Sequence, residues 1–366
     1  MTNSINWIGI DDHADKLTIA QYVDGQKAPV KEWEVDAGGQ GRRQLVRWLR
    51  GLPGGVRCVY EAGPCGYELY RLLTSKGMDC AVAAPSLTPR KPGDRIKTNR
   101  RDARKLAELH RAGMLTTIMV PERRQESIRD LLRARDDGRK NVMSARHRLS
   151  KFLLRHGLRF REASTWGTKH WQWIRALIMP EPYEHVVLNE YIRALDERQS
   201  ELRRLDEVVL EAAKEPDYAP LVGQLCVLRG IDTLSAMTIL SELGDLRRFA
   251  SARQLMAAVG LVPSEYSTGD KTRRLSITKT GNAHVRHVLI QAAWHYRHTP
   301  RTGVAIGKRR NAQPAELVAI GKKADERLHR RYRRMTGRGK RSTIAVTAMA
   351  RELAGFVWAI GQHGRE

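Results

Sequence analysis

Asp11 closes the apolar run WIGIDD, Glu61 closes the run VRCVYEA, and Asp102 opens the helical pattern DARKLAELH. Acids that directly follow short apolar runs sit at the ends of β-strands, and if the two strands are neighbours their carboxylates emerge at one sheet edge. Asp102, at a helix start, can face the same edge. Hard divalent cations take oxygen ligands, so this set suits Mg²⁺ or Mn²⁺. Two such ions about 3.5–4 Å apart clamp the attacking and leaving oxygens of a phosphodiester. Taken singly, each acid has a plainer use: Asp102 suits a helix N-cap, and Glu61 suits an ion pair with one of the many arginines.

A second reactive set lies in AAVGLVPSEYSTGDKTRRLSITKTGNAHVRHVLIQAAWHYRH. Ser264, Ser267 and Thr268 precede Gly269, and Lys271, Arg273, Arg274 and Lys279 follow, ahead of a helix predicted over about 283–298. Hydroxyls beside a glycine and several cations suit a turn that approaches phosphate; an ordinary polar loop has the same composition. As a nucleophile, Ser267 reaches phosphorus with less crowding than the β-branched Thr268. His284 and His287, a helical turn apart, lack a third metal ligand, and packing or a phosphate contact is their commoner use.

These residues sit in a strongly basic chain. Lys and Arg total 65 against 40 Asp and Glu, for a net charge of +25. That balance points to a polyanionic partner, nucleic acid. The density peaks over 301–341, with 14 Lys or Arg against 3 Asp or Glu. Arg330, Arg331, Arg333 and Arg334 are expected to contact nucleic acid there, the alternative being a solvated helix face. The apolar stretch 344–360 carries Arg351 and Glu352 in its middle, so it reads as a packed helix and no membrane partner is expected. Cys58, Cys65, Cys80 and Cys226 form no CxxC pair and read as reduced thiols. The first residues lack the pattern of a secretory signal, and a cytoplasmic protein is expected.

The elements that must position the acids are legible from periodicity. Three short strands over 6–12, 17–23 and 30–35 read as a meander, followed by a helix over about 40–50 and a strand at VRCVYEA. Then come helix CGYELYRLLTSKG, buried strand CAVAAP and helix DARKLAELHRAG. The order β-β-β-α-β-α-β-α is that of an RNase H-like domain. Charged periodic stretches over 121–157 and 184–215 read as two long helices of an antiparallel stalk, with two prolines and two tryptophans at its tip. Near 225, two helices joined by Arg229-Gly230-Ile231-Asp232 resemble a helix-hairpin-helix, whose turn can hold a phosphate. The expected architecture is α/β plus all-α: a metal-binding domain over 1–120, a helical coiled-coil stalk over 121–217 and a mostly helical domain over 218–366.

The strings IGID with Asp11, YEAGPCGY with Glu61 and KTNRRDARKLA with Asp102 resemble the N-terminal domain of transposases of insertion sequence family 110, in which a RuvC-like fold carries an Asp-Glu-Asp-Asp metal site. That family writes its third motif KTDxxDA. Asn99 stands here where the first of those two acids would be, and it can offer a neutral carbonyl oxygen but no charge. Lys97, Arg100 and Arg101 flank this motif as candidate nucleic-acid contacts. The stretch from Gly260 to Arg286 resembles the family's C-terminal signature, GLxP…SG…ITKxGNxxxR, with Ile277 to Asn282 and Arg286 in register, and Arg286 joins the candidate nucleic-acid contacts. The resemblance implies that a serine immediately before the glycine forms a covalent phosphoester with DNA. Thr268 holds that position, so position favours Thr268 while chemistry favours Ser267, and both are candidates.

The resemblance further implies a prokaryotic, nucleoid-associated recombinase acting on donor and target DNA, multimeric between dimer and tetramer, and guided by a non-coding bridge RNA. Two other readings compete. A RuvC-like nuclease or junction resolvase would use water in place of a side-chain hydroxyl. A nucleic-acid-binding scaffold would have lost activity through Asn99 and Thr268.

Overall fold

The computed structural model describes residues 4–89, 98–268 and 271–363, with 266–268 and 271–274 in backbone only. The chain forms two compact units, Met1–Pro121 and Glu122–Glu366.

In the first unit, β1 (Ile5–Asp12), β2 (Lys16–Val23) and β3 (Lys31–Asp36) form an antiparallel meander. There follow α1 (Gly39–Arg50), β4 (Gly55–Glu61), α2 (Glu68–Ser75), β5 (Asp79–Ala83) and α3 (Asn99–Arg111), the succession expected from the sequence. The mixed sheet runs β3-β2-β1-β4-β5, with β4 parallel to both β1 and β5. Its central strand β1 is buried on both faces, which is why it reads as an apolar run rather than an alternation. Ile8, Ile10, Cys58 and Tyr60 pack with Leu45 and Leu49 of α1 and Leu69 and Leu73 of α2. On the other face, Trp7 packs with Ala107 and Val59 with Leu106, both of α3.

Among the described residues the second unit is helical apart from one hairpin. It contains α4 (Arg123–Arg155), α5 (Thr168–Ala176), α6 (Pro182–Ala212), α7 (Ala219–Leu225), α8 (Thr233–Leu243), α9 (Ala252–Ala258), the hairpin β6 (Pro263–Thr268) and β7 (Lys271–Ile277), α10 (Ala283–Ala293), α11 (Val304–Asn311), α12 (Ala315–Gly337) and α13 (Ser342–Gly361). The long helices α4 and α6 are antiparallel: Arg135, early in α4, pairs with Asp206, late in α6, at 2.6 Å, while His156, just past α4, faces Glu184 at 3.4 Å. Leu149 and Phe152 of α4, Ile174 of α5 and Leu188 of α6 make a core at their far end.

Ile128 and Leu132 of α4 and Val209 and Ala212 of α6 enter the same core as the C-terminal helices. α13 is long and apolar enough to cross a membrane by length and composition. Its Val346, Met349, Leu353, Val357 and Ile360 lie inside that core instead.

Candidate active site

Strand parity decides which acids can act together. Side chains alternate across a strand, so Asp11 shares a face with Gly9, and Glu61 with Val59. Ile10 is in register with Tyr60 in the parallel pair β1–β4, which puts Asp11 and Glu61 side by side at the strand ends. The face they share is the one α3 covers. A Cβ added at Gly9 would lie 2.0 Å from the Ala103 carbonyl oxygen and 2.6 Å from the Ala107 nitrogen, so α3 crosses β1 in backbone contact. Asp102 immediately precedes Ala103, in the first turn of that helix. The helix is held there by the Tyr22 hydroxyl, which donates to Glu108 at 2.7 Å, and by an Arg104–Glu32 ion pair.

The plainer uses of these acids are taken by other groups. Thr98 is the N-cap of α3, its hydroxyl oxygen accepting from the Arg101 amide at 3.3 Å, so Asp102 lies in the first turn and does not cap. Among the described residues Glu61 makes no ion pair with arginine or lysine; its Oε1 accepts from the Thr88 hydroxyl at 3.0 Å. His13 Nε2 lies 3.1 Å from Asp11 Oδ2. Asn99, the first residue of α3, is half-buried. Asp12 goes to the opposite face, where burial raises its pKa against the lowering influence of Arg42. Among the described residues no three His, Cys, Asp or Glu side chains come close enough to hold one metal ion. In kind, three carboxylates and an amide oxygen fit a hard divalent cation.

Gly9 supplies a direct test of this arrangement. Gly9→Ala must push α3 off β1, at a cost of about 1–3 kcal/mol for overpacking. The expected result is a thermal midpoint several degrees lower, together with activity lost from the fraction that remains folded. An unchanged midpoint contradicts the backbone contact.

The hydroxyls lie on a β-hairpin rather than in an irregular turn. Ser267 and Thr268 end β6, paired with Thr272 and Lys271 of β7. The side chains of Ser267, Thr268, Lys271, Arg273 and Arg274 lie outside the described residues, as do Gly269 and Lys97. The Ser264 hydroxyl donates to the Ser276 carbonyl at 2.8 Å, bridging the two strands. The root of the hairpin is tightly bound. Thr278 N donates to Val262 O at 2.9 Å and Lys279 N to Gly260 O at 3.1 Å. Lys279 adopts a left-handed φ of +57°, uncommon for a residue with a side chain. Gly281, at φ +113°, lies so close to α9 that a Cβ would be 2.1 Å from the Ala258 carbonyl oxygen, which explains a glycine there.

Several cations expected at nucleic acid have partners within the protein. Arg286 is half-buried and its Nη1 donates to Val259 O at 2.9 Å, closing the hairpin root. Arg331 pairs with Glu352 of α13, whereas Arg330, Arg333 and Arg334 are exposed along α12. Arg100 is exposed and lies 3.9 Å from Glu34, and Arg101 and Lys279 are exposed. His284 and His287 line a cavity of about 480 Å³ between α4, α8 and α10, with Arg139 and Lys140. Partial desolvation at the cavity wall, and then the Arg139 charge, lower the His287 pKa from its ordinary value although the residue as a whole is exposed. At the turn before α8, Gly230 is fixed by packing: a Cβ would be 2.5 Å from the Ala292 carbonyl oxygen of α10.

Sequence reasoning passed over His13, Thr88 and Glu242. The pair Asp11-Asp12 followed by His13 was a signal for the first, and Glu242 is an isolated acid within the apolar pattern of α8. Thr88 carried no signal, because only the fold returns it to Glu61.

Two family models match the chain. One, a transposase model of the DEDD type for IS110 elements, matches residues 8–157. The other, described as Transposase IS116/IS110/IS902 family, matches residues 223–303. The chain is 41% identical over 361 residues to y4qE of Sinorhizobium fredii, named as a transposase, covering 98% of this chain and 89% of that protein. It is 30% identical over 338 residues to the transposase for insertion sequence element IS1533 of Leptospira borgpetersenii, covering 92% and 98%. With the transposase for IS1111A of Coxiella burnetii it shares 27% identity over 260 residues, 69% of this chain and 68% of that one.

Proposed function

Because the chain belongs to the IS116/IS110/IS902 family of transposases, we propose that it cuts and exchanges DNA strands through a covalent protein–DNA intermediate formed on Ser267 or Thr268, with Asp11, Glu61 and Asp102 holding divalent metal. The observation that supports this reading is the β1–β4 register, which sets Asp11 and Glu61 at the ends of neighbouring strands on the face that α3 crosses. The DEDD-type domain implies divalent metal dependence in general. Mg²⁺ or Mn²⁺ would be held by Asp11, Glu61 and Asp102, with Asn99 as a neutral fourth ligand, and would supply charge stabilisation to the phosphodiester oxygens. The sheet order supports an RNase H-like, RuvC-like domain, and the α4–α6 pair supports a coiled-coil stalk through which copies assemble as dimers to tetramers.

In the covalent step the hydroxyl oxygen bonds to phosphorus as one P–O ester bond breaks. The hydroxyl loses its proton and the departing DNA oxygen gains one. A bridge RNA as guide would account for sequence choice, and the net charge of +25 suits two polyanions.

The deciding experiment incubates the protein with Mg²⁺ or Mn²⁺ and DNA bearing the element's ends. A denaturation-resistant adduct is the expected product; free hydrolysis products favour a junction resolvase. The neutral Asn99 favours a second reading, a disabled scaffold, for which only a salt-sensitive mobility shift is expected.

The exposed face of α12 carries a quantitative expectation. Changing Arg330, Arg333 and Arg334 together to Ala should reduce the slope of log K against log salt by about 2–3, since each phosphate left unneutralised lowers it by about 0.7–0.9. Arg331→Ala should leave that slope unchanged, since Arg331 is paired with Glu352. An unaltered slope in the triple variant assigns these arginines to a solvated face.

A further inference from the structure

We propose that Glu242 is a positioning residue that ties the root of α4 to the root of the β6–β7 hairpin, through Arg133 on one side and Asn282 on the other. The proposal rests on the reading that this hairpin carries the attacking hydroxyl.

Glu242 lies near the end of α8 with only 2% of its side chain exposed. A carboxylate in such a place is costly unless its oxygens are fully engaged. Arg133 of α4 holds it in a two-pronged contact, Nε to Oε1 at 2.8 Å and Nη2 to Oε2 at 3.1 Å. Arg129 Nε lies 3.8 Å from Oε2. The same Oε2 accepts from Asn282 Nδ2 at 2.7 Å. α4 is further seated on this end of α8 by Gln125 and Arg129, which both donate to the Ser241 carbonyl, at 2.9 and 3.2 Å.

Asn282 is used at both ends. Its Oδ1 caps α10 by accepting from the Val285 amide at 3.0 Å, while its Nδ2 reaches Glu242. Its own amide donates to Ala258 O at 2.8 Å, a few residues along the chain from the Thr278 and Lys279 amides that close the hairpin. Asparagine alone among capping residues serves both contacts. Aspartate would cap but set a second carboxylate against Glu242, and serine would cap without reaching it. The path from α4 to the hairpin is therefore Arg133, Glu242, Asn282, root.

Asn282→Ser separates the two uses, since it keeps the cap of α10 and drops the contact to Glu242. Hydrogen exchange at the Thr278 and Lys279 amides reads the hairpin root whether or not either hydroxyl is the nucleophile. Core amides such as Val346 and Leu353 report that the unit stays folded. Exchange at the root should rise about 10- to 100-fold in Asn282→Ser, the scale of one hydrogen bond to a charged group. Arg133→Gln, altered only on α4, should produce the same rise, and the double variant should add nothing beyond either single one. At saturating DNA, adduct formation should slow by a similar factor without loss of DNA affinity. Root exchange that is unchanged in Arg133→Gln, or effects that simply add, overturns the proposal. Faster root exchange in both single variants with undiminished adduct formation upholds the tether and removes the hydroxyls of this hairpin from the chemistry.

Discussion

Asp11→Ala is expected to abolish strand exchange while leaving the fold intact. Asp11 and Glu61 end neighbouring parallel strands on the face covered by α3, and Asp102 lies in the first turn of that helix. Groups that merely orient metal ligands cost about 10- to 100-fold when removed, so loss of a direct ligand should exceed about 100-fold. Glu61→Ala and Asp102→Ala should behave alike. The fold should persist because the sheet is held by Ile8, Ile10 and Tyr60, which face the opposite core. Asp12→Ala is the informative control. Its carboxylate belongs to the other face, beside Arg42 and Cys65, so exchange should survive its removal. Near-normal recombination by Asp11→Ala, measured alongside an unchanged thermal midpoint, would refute the metal-site assignment.

The second large effect separates the enzyme classes. One of Ser267→Ala and Thr268→Ala should eliminate the covalent adduct, by on the order of 10³-fold or more, as deletion of a side-chain nucleophile does elsewhere. The other should slow the reaction modestly, because the two residues are consecutive at the end of one strand and share its support. Peptide mapping of the trapped adduct identifies the hydroxyl. Ser264→Ala should do neither, since that hydroxyl is engaged with the Ser276 carbonyl. If both single variants and the double one still cleave fully, the nucleophile is water or lies elsewhere, and the resolvase reading takes over.

What local sequence determined here was the succession of elements in the first unit, the two long helices, the basic character, and the standing of Asp11, Glu61 and Asp102 at element ends. Hydrophobic periodicity and turn residues act over a few positions, so they survive without a tertiary context. The pairing that puts β4 beside β1, and with it Glu61 beside Asp11, links residues some fifty apart in the chain, and only the folded sheet decides it. Parity relative to the core then sends Asp12 one way and Asp11 the other, although the two are adjacent and chemically alike. Thr98 took the capping role that Asp102 suited equally well by sequence, because the helix starts one turn earlier than the acid. Arg331 read as a nucleic-acid contact from local charge density and Arg286 from its place in the C-terminal signature, yet a carbonyl of residue 259 claims Arg286 and a carboxylate of residue 352 claims Arg331. Glu242 is the extreme case: its guanidinium partner lies 109 residues away and its amide partner 40. A buried charge is tolerated only when distant partners converge on it, and that convergence is a property of the packed structure alone.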